Sequence, residues 1–216
     1  MKKIFTFCGI LLMCLLSIQS SSAAGKELYG VVEGSTMTVR FDYSRTSNGG
    51  TLLLDMPSAT RSAVTKIIID NTVTTYNGSE TAQWFSNYTN LRSVEGLDYI
   101  PWEDISYASF MFQNCSILPE IDLNGLRMLK QGVECIGMFM GCSNLTTIHC
   151  NHDFSSRIGS STGMFSNCYK LKGGMGTSYA SAHSDATYAR PDRTGQPGLP
   201  ASRRRMWFMR CSRVQP

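Results

Sequence analysis

The sequence predicts an α+β repeat architecture: a short solenoid whose units each contribute a helical turn and a short strand, preceded by a β-rich cap. Three observations predict it. A phrase recurs: Met111-Phe112-Gln113-Asn114-Cys115-Ser116-Ile117-Leu118, then Met138-Phe139-Met140-Gly141-Cys142-Ser143-Asn144-Leu145, then Met164-Phe165-Ser166-Asn167-Cys168-Tyr169-Lys170-Leu171. Trp84-Phe85-Ser86-Asn87-Tyr88-Thr89-Asn90-Leu91 is a degenerate first copy, and successive starts lie 27, 27 and 26 residues apart. Self-similarity at such a period marks stacked supersecondary units. Within each copy the aromatic, sulfur and aliphatic residues fall three apart, a spacing that fits one turn of helix or 3₁₀-helix with its apolar side inward. After the copies ending at Leu91, Leu118 and Leu145 the period changes to that of a strand.

That change carries the second half of each unit. Leu118-x-x-Ile121-x-Leu123 and Leu145-x-x-Ile148-x-Cys150 match the L-x-x-L-x-L core of a leucine-rich repeat, and Leu91-x-x-Val94-x-Gly96 is a weaker version. The expected core ladder is Phe85, Phe112, Phe139 and Phe165; Tyr88, Cys115, Cys142 and Cys168; and Leu91, Leu118, Leu145 and Leu171. A single unit cannot bury its apolar side, so burial requires stacking.

Taken in order, residues 1–24 read as a secretory signal. Lys2 and Lys3 supply the positive start, Ile10 to Leu16 the apolar centre, and Ser22-Ala23-Ala24 the small-residue cleavage site. Cys14 follows Met13 rather than a small residue, which argues against a lipid anchor. No later segment is apolar for long enough to span a bilayer. The chain is therefore expected to be exported, either secreted or held at a cell surface.

Residues 25–80 form the expected cap. Met37, Val39, Phe41 and Tyr43 alternate with polar residues, the period of a half-buried strand, and Glu33-Gly34-Ser35 reads as a hairpin turn from Leu28–Val32. Thr51–Leu54 and Thr65–Asp70 are further strands. Residues 81–175 hold the four units, and the pattern stops at Gly173-Gly174. Residues 176–192 are a closing segment anchored by Tyr179 and Tyr188. Residues 193–216 change character to an arginine-rich tail, read as disordered or frame-shifted rather than as a polyanion-binding arm.

The net charge of +4 is unevenly placed. Residues 25–190 hold 12 basic and 15 acidic side chains, so the body is mildly acidic and nucleic acid is not an expected partner. The equivalent cysteines read as small buried apolar side chains rather than as a disulfide framework. Sequons occur at Asn77, Asn87, Asn114 and Asn144; those in the recurring phrase read as turn caps.

The phrase Met-Phe-x-x-Cys-x-x-Leu-x-x-Ile-x-Leu resembles the BspA-like leucine-rich-repeat surface proteins of bacteria, in the branch with a 26-residue surface-protein repeat. Val64-Thr65-Lys66-Ile67-Ile68-Ile69-Asp70, the Trp84-Phe85 entry, Leu171-Lys172-Gly173-Gly174-Met175-Gly176-Thr177 and His183 to Arg190 are similar to that family's motifs. The connectors Asn124–Gly137 and Asn151–Gly163 depart from it, as does the chain after Asp192. The resemblance implies an adhesion or recognition protein with an extracellular protein or glycan partner, and it carries no catalytic residues.

The candidate binding residues are the outward strand positions Ser93, Glu95, Glu120, Asp122, Thr147 and His149. Tyr99, Trp102 and Tyr107 are further contact points. The competing reading is a zinc site or a Cys–His hydrolase-like site in His149-Cys150-Asn151-His152-Asp153. Alternation along a strand sends His149 and Cys150 to opposite faces, which weakens it. No catalytic residue, metal or cofactor is assigned.

Overall fold

The computed structural model describes residues 25–125 and 129–201. The signal segment and the chain beyond Ala201 therefore lie outside the described residues. The strands are β1 (Glu27–Glu33), β2 (Thr36–Asp42), β3 (Thr51–Leu52), β4 (Lys66–Ile69), β5 (Ser93–Glu95), β6 (Glu120–Asp122), β7 (Val133–Glu134), β8 (Thr147–His149), β9 (Ile158–Ser160) and β10 (Pro200–Ala201). One short α-helix, α1 (Ser58–Ala63), lies between β3 and β4.

The architecture corrects the expected solenoid. The described residues form a mixed α/β fold with three small sheets, ordered β3-β1-β2-β4-β5, β10-β8-β6 and β7-β9, and their 3₁₀ turns are isolated. The segments with Phe, Cys and Leu three apart are turns rather than helical turns. Their backbone explains why. Asn87, Asn114 and Asn167 have φ of 65°, 59° and 64°, and Gly141 has φ of 80°. Each sits immediately before Tyr88, Cys115, Cys168 or Cys142. A left-handed residue at that place cannot continue a right-handed helix, and Asn and Gly are the residues that adopt it at least cost.

The strands also fail to join into one sheet, and a proline stands at the break between β5 and β6. Backbone bonds run from Arg92 N to Thr65 O (2.7 Å), Thr146 N to Pro119 O (2.8 Å) and Lys172 N to Thr146 O (3.0 Å). The corresponding donor towards Arg92 would be the nitrogen of Pro119, which carries no hydrogen. β5 and β6 are accordingly neighbours that edge different sheets. Replacing this proline tests the explanation. The amide introduced by Pro119→Thr is expected to donate to the Arg92 carbonyl. The hydrogen bond adds about 1 kcal/mol, offset by about 0.4–1 kcal/mol from the looser unfolded chain. Stability should change little while hydrogen exchange at position 119 becomes protected. Exchange there at the unfolded-chain rate would contradict the role given to the proline.

In the first sheet, β1 and β2 pair antiparallel with Leu28 opposite Phe41, and Met37, Val39 and Phe41 turn inward. β4 adds parallel to β2, and β5 parallel to β4. Arg61 of α1 donates to the carbonyls of Met56, Leu54 and Ser86, each at 2.9 Å, and ties the helix to the segment after β4.

A column of rings runs beneath the sheets. Phe112 and Phe139 stack at 5.5 Å with planes 2° apart, and Phe139 and Phe165 at 6.0 Å with planes 5° apart. Phe85 continues the column at 5.5 Å from Phe112, and Tyr88 bonds the Met37 sulfur at 3.4 Å. Leu91, Leu118, Leu145 and Leu171 are fully buried beside it. The first sheet and the middle of the chain thus share one hydrophobic core.

The thiols are part of that core. Cys115 donates to Phe85 O at 3.2 Å, Cys142 to Phe112 O at 3.1 Å and Cys168 to Phe139 O at 3.1 Å. The described cysteines are all free. Burial pushes Cys135 up to about 12 and Cys150 up to about 11, and it also raises Cys168. Hydrogen bonding with Cys115, then burial, raises Cys142. Only thiolate reacts, so alkylation of native Cys135, Cys142, Cys150 and Cys168 near pH 8 should run at least about a hundredfold slower than in the unfolded chain. Equal rates, followed peptide by peptide by mass spectrometry, would show that the thiols are not buried.

The chain past Asp192, the start of the stretch read as a tail, packs on the body as far as Ala201. Asp192 is 5% exposed and Leu199 is fully buried. β10 pairs parallel with β8, Pro200 opposite Ile148 and Ala201 opposite His149. Cys150 N donates to Ala201 O at 3.0 Å.

Candidate functional site: an acidic groove beside the unjoined strands

A groove of about 1090 Å³ opens where β5 and β6 fail to pair. Its walls come from β5, from β6 and from residues 96–103. The last segment turns at Gly96, with φ of 80°, into a 3₁₀ turn over Leu97–Tyr99. A side chain at Gly96 would be strained and would also collide with the Ile69 carbonyl. Beneath the turn, buried Trp102 donates its indole N–H to Leu97 O at 2.8 Å and fixes the wall. Tyr99 is 39% exposed at the rim.

Five carboxylates line the groove, those of Glu95, Asp98, Glu103, Glu120 and Asp122, against the single guanidinium of Arg92. Glu95 pairs with Lys66 at 2.8 Å, an exposed bridge worth under about 1 kcal/mol. Glu120 Oε2 meets His149 Nε2 at 3.1 Å. Asp122 accepts from Asn124 N at 2.9 Å and from Asn124 Nδ2 at 2.7 Å.

Of the sequence-derived binding residues, Ser93, Glu95, Glu120, Asp122 and His149 converge on this groove. Thr147 does not: it faces a second, shallower depression beside Tyr169, Lys170 and Lys172. Asp98, Glu103 and Asn124 were missed by sequence reasoning. Their approach depends on the turn at Gly96 and on the meeting of Gly125 with Asp98, and neither has a periodic signature. Tyr107, 46% exposed, lies outside the groove lining.

The cluster from His149 to Asp153 does not converge. The Cys150 thiol turns inward to the backbone carbonyl of His152 at 3.1 Å. The His149 ring points to Glu120. Asp153 Oδ1 accepts from Ser155 N at 3.0 Å and Ser155 Oγ at 2.6 Å. Among the described residues no three His, Cys, Asp or Glu side chains are grouped so as to hold a metal ion.

No protein family, curated protein or solved structure was found to match the chain. The functional reading therefore rests on the groove. Among the described residues no helix is long and apolar enough to cross a membrane.

Proposed function

We propose that this chain is an exported, non-enzymatic recognition module that binds an extracellular protein or glycan through the groove between β5 and β6. One observation carries the reading. Outward positions of three strands that are far apart in sequence, β5, β6 and β8, meet in a single concave site with a fixed aromatic wall. Concave sites with a few convergent polar groups are where ligands bind. Hydrogen-bonding carboxylates beside an exposed tyrosine suit polar partners, whether hydroxyl-rich or basic. The resemblance to BspA-like surface proteins supports the same reading. The groove is small, so tight attachment at a surface would draw on many copies acting together.

The test is an array of extracellular proteins and glycans probed with the full chain and with a Glu95→Lys/Glu120→Lys variant. A probe retained by the native chain and lost by the variant is expected. Probes retained equally by both would overturn the assignment to this groove. Both substitutions are at exposed positions, so folding should be unaffected.

A further inference from the structure

A second concave site shares no lining residue with the acidic groove. It is an open depression of about 600 Å³, lined chiefly by Thr146, Thr147, Tyr169, Lys170 and Lys172. That volume falls within the range of about 300–1,000 Å³ common to small-ligand sites.

Its aromatic side chain is exposed yet held. Tyr169 is 66% exposed. Its hydroxyl donates to Asn167 Oδ1 at 2.8 Å, and its ring meets that of Tyr179 at 5.9 Å with planes 82° apart. Tyr179 is fixed in turn, because Asn167 N donates to its hydroxyl at 3.1 Å. A ring already held in one orientation gives up little freedom when a ligand settles on it.

The charge around this ring is of one sign. Two ammonium groups and no carboxylate line the depression. Lys170 Nζ donates to Asn144 Oδ1 at 2.6 Å, which leaves two of its three N–H bonds for another acceptor. Lys172 is exposed and has no side-chain partner among the described residues. Thr146 Oγ1 donates to Pro119 O at 2.9 Å, so its lone pairs are left to accept from a hydroxyl. The aromatic face suits the C–H face of a ring, the ammonium groups suit an anion, and the threonine suits a hydroxyl. A simple anion would leave the tyrosine unused, and a neutral sugar would leave the lysines unused.

We propose that this depression binds an acidic sugar, a pyranose carrying a carboxylate or a sulfate. The sugar ring lies on Tyr169, its anionic group meets Lys170 and Lys172, and a hydroxyl donates to Thr146. The site is separate from the groove, so either assignment can fail while the other stands.

The experiment titrates the full chain with glucuronate and glucose 6-sulfate, and with glucose, acetate and sulfate ion as controls, following the amide resonances of Thr146, Thr147, Lys172 and Gly173. At least one acidic sugar is expected to move them at a concentration at least about tenfold below that needed for glucose, which lacks the charge, or for the two ions, which lack the ring. Which acidic sugar acts identifies the anionic group. Lys172→Gln and Tyr169→Ala are each expected to raise the concentration required at least about tenfold. Both positions are exposed, so folding should be unaffected, and unchanged resonances of Glu95 and Glu120 would report that. No response to either acidic sugar, an equal response to glucose or to the ions, or native binding by either variant would overturn the proposal.

Discussion

Replacing Phe139 with alanine is expected to destabilise the protein by about 3–5 kcal/mol. Phe139 is fully buried and lies between two parallel rings, Phe112 at 5.5 Å and Phe165 at 6.0 Å. Its removal loses the transfer energy of a whole ring and leaves a cavity whose walls are other side chains of the column. Those walls cannot close in easily, because the backbone on both sides is pinned. Phe112 N donates to Met138 O at 2.8 Å, and Phe139 N to Met164 O at 2.9 Å. Phe139→Leu should cost less, since it keeps most of the volume. Urea denaturation of both variants checks the order. A loss below about 1 kcal/mol for Phe139→Ala would mean that the column does not bear the stability assigned to it.

The second large effect is expected at Asp192. Asp192→Ala removes the acceptor for three backbone N–H groups and one hydroxyl around a carboxylate that is 5% exposed. Each unsatisfied buried donor costs about 1–3 kcal/mol. The segment 192–201 is expected to detach rather than hold those donors dry, so the measured loss is capped by the free energy of that local opening. β10 then leaves the edge of β8, and protease cleavage between Arg193 and Ala201 should accelerate at least about tenfold. Unchanged cleavage would contradict the role given to the carboxylate.

Acid should act on the same residue in the same direction. Burial alone would raise the Asp192 carboxyl, but the bonds from the Thr177 hydroxyl and from the Thr177, Met175 and Gly198 amides outweigh it and hold it below the usual carboxylate range. A carboxyl that is more acidic when folded contributes stability that is complete above its unfolded pKa, about 3.9. That contribution fades as the pH falls from there through the folded value. The segment should therefore stay docked at neutral pH and loosen only in strong acid.

Which parts of this molecule can be read from residues depends on whether the physics is local. The spacing of three singles out Phe112, Cys115 and Leu118, which are all fully buried. The same spacing suggested a helical turn that does not form, because apolar spacing does not distinguish a helix from a tight turn. The distinguishing signal was present in Asn87, Asn114, Gly141 and Asn167, the residue types that tolerate positive φ. Pro119 likewise announced the missing donor between β5 and β6, but its consequence emerges only once Arg92 and Thr65 are seen to pair on the other side. Alternation in the strands marks Glu95, Glu120, Asp122 and His149 as outward-facing, and they line the groove. Asp98 and Glu103 arrive through a turn with no period. Residues 192–201 have no hydrophobic rhythm either, and the donors that hold Asp192 are mainly backbone amides, which no side-chain pattern reveals.

A single ring and thiol column from Trp84 to Phe165 makes the described chain one cooperative body. The most direct measurement is urea unfolding followed by two probes on a Trp207→Phe background. Fluorescence of Trp84 and Trp102 reports the first half of the column, and pulse alkylation of Cys168 reports its far end. The two transitions are predicted to coincide. Cys168 becoming reactive at a urea concentration where the tryptophan signal is still native would contradict a shared core, and with it the rigid scaffold on which the groove depends.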